Sequence, residues 1–94
     1  MAASDVPTEA PDVEPDHTID NRDRGCANGI VRVQRALEDL HDGAVLRVQS
    51  SDRRAKTEYP KLAAQTPHEL LAVVTERRRV LAKQYTTYLE VHHE

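Results

Sequence analysis

Ile19-Asp20-Asn21-Arg22-Asp23-Arg24-Gly25-Cys26-Ala27-Asn28-Gly29-Ile30 is the stretch on which the fold turns. Before it, His17 to Asp20 reads as a short edge strand with Ile19 as its inward anchor. After it, Ile30, Val33, Leu37 and Leu40 recur at helical spacing on one face, with Ala36 beside them. Arg32, Arg35, Glu38 and Asp39 fall on the other side. The helix is expected over 28–41, with Asn28 as its N-cap and Asp42-Gly43 as its glycine stop. Cys26, the only cysteine, stands where strand gives way to helix. Unpaired N–H groups and the positive end of the helix dipole favour thiolate over thiol there.

Working outward, Ala44, Leu46 and Val48 alternate with Arg47 and Gln49, the pattern of a half-buried strand ending at Ser50. Ser51 or Asp52 is placed to cap a second helix through Ala55 and Tyr59. Pro60 should break or kink that helix, with a further turn through Leu62 and Ala63. The last third carries two signals. Thr66-Pro67-His68-Glu69 looks like a capping box, and Leu70, Leu71, Val74, Arg78, Leu81 and Tyr85 would follow as a helix over 67–82. Against it, Leu70 to Thr75 is a compact, partly β-branched run. Gln84 to His92 is strongly strand-forming.

Composition bounds the rest. Ninety-four residues make one small domain whose core must be aliphatic, since Trp and Phe are absent and Tyr occurs three times. One cysteine excludes an internal disulfide and fits a reducing compartment. The chain opens without the charged and apolar regions of a signal peptide, and no apolar run reaches membrane-span length, so it reads as cytoplasmic with no membrane contact. The net charge of −3 is unevenly spread. Residues 1–21 hold Asp5, Glu9, Asp12, Glu14, Asp16 and Asp20 without Lys or Arg, and the remainder carries net positive charge. Residues 1–16, which include Pro7, Pro11 and Pro15, are therefore expected to be a disordered acidic tail ahead of a domain over 17–93.

The chemistry-bearing patterns are few. No Ser-His-Asp set, glycine-rich phosphate loop or carboxylate pair stands at a recognisable spacing, and none of the patterns calls for a cofactor. His92 and His93 are adjacent, so on a strand they would point to opposite faces, and no metal site is expected. Arg77-Arg78-Arg79 with Lys83 lacks interleaved aromatics and reads as a solvated charge run, so nucleic-acid contact is not expected. Tyr59, Tyr85 and Tyr88 read as packing residues.

Asp20, Cys26, Gly43, Asp52 and Pro60 together give a spacing that resembles the TusA/SirA family of small sulfur-carrier proteins. In that pattern an aspartate precedes the cysteine by six residues, a glycine ends the first helix, an aspartate opens the second, and a proline lies inside it. His68-Glu69-Leu70-Leu71-Ala72 resembles the family's third strand and Tyr85 to Val91 its fourth, so the likeness spans about 17–92. It implies an α+β fold, a two-layer β-α-β-α-β-β sandwich with two helices on one face of a mixed four-stranded sheet. Leu70 to Glu76 is then a strand and Arg77-Arg78-Arg79 lies in or near the returning hairpin. Two places depart from the pattern. Cys26-Ala27-Asn28-Gly29 stands where the family carries Cys-Pro-x-Pro, and Asp23 stands where it carries glycine.

The resemblance also implies a function: a sulfurtransferase-like persulfide carrier rather than a classical enzyme, serving tRNA thiolation, cofactor synthesis or sulfur metabolism. Cys26 would bear the sulfur, Asp20 would be the structural aspartate ahead of it, and Arg24 would support the thiolate or persulfide. A cysteine desulfurase or rhodanese would supply the sulfur, and a DsrE-like or other acceptor protein would receive it. The alternative is a non-catalytic interaction or regulatory module of the same fold with a repurposed cysteine.

Overall fold

Leu46 and Val48, the inward residues of the alternating segment, are completely buried in a computed structural model of the chain. The structure describes residues 9–22, 26–77 and 83–93. Its elements run β1 (His17–Asp20), α1 (Cys26–Asp39), β2 (Val45–Ser50), α2 (Ala55–Ala64), β3 (Glu69–Arg77) and β4 (Lys83–Glu90). The strands form one sheet in the order β1-β2-β4-β3, with β1 parallel to β2 and the other pairs antiparallel. This is the mixed four-stranded sheet with two helices that the resemblance implies.

One face of the sheet carries the helices. Val33 and Leu37 of α1, Tyr59, Leu62 and Ala63 of α2, and Ile19, Leu46, Val48, Tyr85 and Leu89 of the sheet form one buried cluster. Ile30, Ala36 and Leu40 pack at its edge, completing the helical stripe legible in the sequence. A second, smaller cluster (Val45, Ala72 and Tyr88, flanked by Leu71 and Val74) contains none of the helix residues. The cross-strand register places Val45, Tyr88 and Ala72 on the sheet face opposite Leu46, Leu89 and Leu70. All three tyrosines are packing residues: Tyr59 and Tyr85 in the first cluster, Tyr88 in the second.

Local expectations are corrected in three places. First, α1 begins at Cys26, so Asn28 lies inside the helix and is not its cap; the helix ends at Asp39. Gly43 serves a different turn, with φ +89° at the third position of a turn closed by Ala44 N–H donating to His41 O (3.0 Å). Only glycine takes that φ without strain, as a type II turn requires. Second, neither Ser51 nor Asp52 caps α2 directly. Asp52 Oδ1 accepts from Arg54 N–H (2.9 Å) in the turn before the helix, and the Ser51 hydroxyl donates to Arg22 O (2.7 Å). Pro60 lies within α2 and the helix continues to Ala64 without a break, because Tyr59 on one side and Leu62 and Ala63 on the other are all anchored in the core.

Third, the helical spacing at 67–82 is overridden. Thr66 does not open a helix: its hydroxyl donates to Ala63 O (3.3 Å) and accepts from His68 N–H (3.3 Å), closing off α2. Glu69–Arg77 is a strand, as the resemblance implies, with a bulge between Leu70 and Ala72. The bulge explains the run of consecutive apolar residues. It lets Leu70 pair with Leu89 on the helix side and Ala72 with Tyr88 on the other, with Leu71 intervening. The hairpin expected around Arg78 and Arg79 lies outside the described residues.

Thr87 is fully buried between Val48 and Val73 in the register, and its hydroxyl has no hydrogen-bond partner among the described residues. An orphaned buried hydroxyl costs about 1–3 kcal/mol. Thr87→Val keeps the shape and removes the cost, so it should raise stability by about 1 kcal/mol. The check is a higher denaturant midpoint with an unchanged slope; a lower midpoint would refute the assignment.

Candidate functional site

The parallel pair β1–β2 ends its two strands side by side, and each carboxyl end leads toward a helix start. In open sheets this rim is where ligands collect, since helix N-termini and loop backbone converge there. Cys26 is the first residue of α1 and therefore sits on this rim. The first turn of α1 contains no acidic residue, so nothing within it opposes the positive end of the helix dipole. The side chain of Cys26 lies outside the described residues, as do Asp23, Arg24 and Gly25, so the support expected from Arg24 falls there too.

Asp20 is described fully, and its role is to shape the chain that leaves β1. Its carboxylate accepts from the Arg22 backbone N–H (3.0 Å to Oδ1), from Arg22 Nε (2.8 Å to Oδ1) and from Arg22 Nη2 (2.7 Å to Oδ2). The backbone bond makes an Asx-turn, and the two guanidinium bonds clamp it. These bonds hold the Asp20 carboxyl down at a pKa of about 2. On the other side, the Ser51 hydroxyl fastens Arg22 O to the loop entering α2. The segment leading toward Cys26 is thus tied both to β1 and to the second helix's approach.

The sign of the pH effect follows. A carboxyl with its folded pKa depressed lends stability that is present above its ordinary value, 3.8, and is lost as pH falls through about 2. Because the pair is solvent-exposed, it contributes less than about 1 kcal/mol. The site-specific titration is the sharper readout. Carboxyl-carbon NMR should give Asp20 a midpoint near 2, and Arg22→Ala should return it to the ordinary carboxylate range. An unchanged midpoint in the variant would show that Arg22 is not the cause.

A residue that the sequence reading passed over, Asn21, joins the rim to the core. It is 2% exposed, and its backbone N–H donates to Gln49 O (2.8 Å). Its Nδ2 donates to Gly29 O (3.1 Å) and to the Tyr59 hydroxyl (3.4 Å), while Oδ1 accepts from Arg32 Nη1 (3.3 Å). One residue therefore contacts β2 through its backbone, and the first turn of α1 and α2 through its side-chain amide. Gly29 makes this approach possible: a Cβ there would lie 2.9 Å from Asn21 Nδ2 and 3.2 Å from its Cγ. The only signal available in the sequence was an unfavourable one, a glycine where a helix should start well.

Further along the same rim, Arg22 Nη1 reaches Gln84 Oε1 (3.5 Å), and Gln84 Nε2 donates to Thr86 Oγ1 (3.3 Å) and Glu76 Oε1 (3.4 Å). These groups line the helix-free side of the strands. The described residues of the rim thus bring together two guanidinium groups, Arg22, which is paired with the Asp20 carboxylate, and Arg32, which bonds Asp20 O and Asn21 Oδ1. Guanidinium groups of this kind suit the recognition of an anionic group.

The family model described as Sulfurtransferase TusA matches residues 17–88, which include β1, the rim and all but the last two residues of β4. No individual curated protein matches the sequence.

Proposed function

Since this chain belongs to the TusA sulfurtransferase family, we propose that Cys26 carries sulfur as a persulfide between protein partners. The observation that carries the reading is the family match itself, whose span holds a single cysteine at the first position of α1. The Cys26 thiolate attacks the terminal sulfur of a donor persulfide. The donor's S–S bond breaks, a new S–S bond forms at Cys26 Sγ, and the donor cysteine departs as thiolate. No net oxidation occurs, and delivery to the acceptor repeats the exchange in the other direction.

The step needs a thiol of low pKa, an open approach and a surface on which donor and acceptor dock in turn. Support for the first comes from the helix start and from Arg32, a cation on the same helix. Arg24, two residues ahead of the thiol, adds a further cation in sequence and would steady the persulfide anion. The donor would be a protein that forms persulfides, such as a cysteine desulfurase or rhodanese, and the acceptor a DsrE-like or other thiol protein. Among the described residues no helix is long and apolar enough to cross a membrane.

The test is to incubate the full-length protein with a cysteine desulfurase and cysteine and to weigh the intact chain. One added sulfur atom, removed by reductant and mapped to the peptide holding Cys26, is the expected result. A folded protein that gains no sulfur from several unrelated donors would leave the interaction-module reading in its place.

A further inference from the structure

We propose that Glu69, Glu90 and His92 form a divalent-metal site at the far end of the sheet from Cys26, on its helix-free face. Glu69 and Glu90 are direct cross-strand partners at the start of β3 and the end of β4. Like charges set opposite each other destabilise a strand pair unless a cation offsets them. His92 lies just beyond, with Nε2 3.2 Å from Glu90 Oε1 and 3.7 Å from Glu69 Oε1. One donor atom from each residue lies within 4.8 Å of the other two. Ligands bound at about 2.0–2.1 Å around a tetrahedral zinc ion are about 3.4 Å apart, and the two imidazole–carboxylate separations lie on either side of that value.

Two features of the fold build this cluster. The bulge between Leu70 and Ala72 resets the phase of β3. Simple alternation back from Ala72 would send Glu69 to the helix side, and the extra residue returns it to the side of Glu90. His92 is fixed by its flanks: its own N–H donates to His68 Nδ1 (3.1 Å), and the next residue's N–H donates to Asp42 Oδ1 (2.9 Å). The His93 ring turns the other way, with Nε2 2.7 Å from Leu40 O. The two adjacent histidines do diverge, as the sequence reading expected. The ligand set is completed by glutamates on two strands, which spacing in the sequence cannot bring together.

One imidazole and two carboxylates suit zinc or another borderline divalent ion rather than a thiophilic one. Three protein donors leave a fourth position for water or for a side chain of a docking protein. The competing arrangement is an imidazolium bridging the two carboxylates with no metal.

The test uses the full-length Cys26→Ser protein, so that the thiol cannot take the metal. Titration with zinc chloride near neutral pH, followed by calorimetry and amide NMR, should show one equivalent bound. The largest shifts should fall at residues 69, 90 and 92. His92→Ala, Glu69→Gln and Glu90→Gln, all at solvent-accessible side chains, should each weaken binding at least about tenfold. His41→Ala, an exposed histidine elsewhere, should leave it unchanged. Absence of binding up to millimolar zinc, or binding indifferent to the three substitutions in proteins with native amide spectra, would overturn the proposal in favour of the imidazolium bridge. Loss of sulfur loading has no bearing on this result, so the two readings fail separately.

Discussion

A Cys26→Ser protein will accept no sulfur from a persulfide donor while unfolding at nearly the wild-type denaturant concentration. The effect is all-or-none, because the chain has one cysteine and a serine hydroxyl does not ionise in the range where a thiolate is available. Stability should hold because α1 is anchored by Val33 and Leu37, two and three turns beyond the substituted residue. Loading is read by intact mass and folding by the denaturation midpoint, so a carrier without its thiol is distinguished from a collapsed chain. A companion measurement is the alkylation rate of the wild-type thiol against pH. An apparent pKa well below the ordinary ~8.5 accords with a carrier. A normal or raised value, together with partner capture that survives Cys26→Ser, accords with an interaction module. Sulfur on the serine variant would show that the adduct was never at residue 26.

Some of this architecture is legible in the sequence because single elements carry their own periodicity. Leu46 and Val48 alternate with polar residues, and Val33 and Leu37 sit on one helical stripe; in both cases the apolar face is the buried face. β3 is different. Its apolar residues are consecutive because a bulge divides them between two clusters on opposite faces, and that division depends on β4, which arrives later in the chain. Local spacing thus favoured a helix, and the pattern of the whole chain was needed to correct it. The site shows the same limit. A lone thiol at a helix start can be found by inspection, whereas the reason for Gly29 cannot. Asn21, Gly29 and Tyr59 come from three segments, and only packing reveals that one amide binds them together.

Gly29→Ala should destabilise the protein, contrary to what helix propensity alone predicts. Alanine inside a helix gains about 1 kcal/mol over glycine. Here the new methyl would lie 2.9 Å from Asn21 Nδ2, and the amide has little room to retreat, being buried and bonded to Gly29 O, the Tyr59 hydroxyl and Arg32. Overpacking of a well-filled site costs about 1–3 kcal/mol, so the clash outweighs the propensity gain. The decisive comparison is made in an Asn21→Ala background. There the obstruction is gone, and the same Gly29→Ala exchange should become neutral or stabilising by up to about 1 kcal/mol. Such a change of sign in a double-mutant cycle cannot come from helix propensity; a stabilising Gly29→Ala in the wild type would refute the clash. Position 29 is also where the family pattern carries the second proline of Cys-Pro-x-Pro. A proline brings the same Cβ, so Gly29→Pro alone should also be destabilising. The proline ring restrains the turn after the cysteine by fixing φ. In this chain the Asn21 amide restrains that turn from outside, by holding the carbonyl of Gly29. This tertiary bond should therefore restrain the turn at the place where the family pattern has proline, and the restraint should vanish with Asn21→Ala. The readout is faster amide hydrogen exchange in the first turn of α1, with no change at Leu46 in the sheet centre.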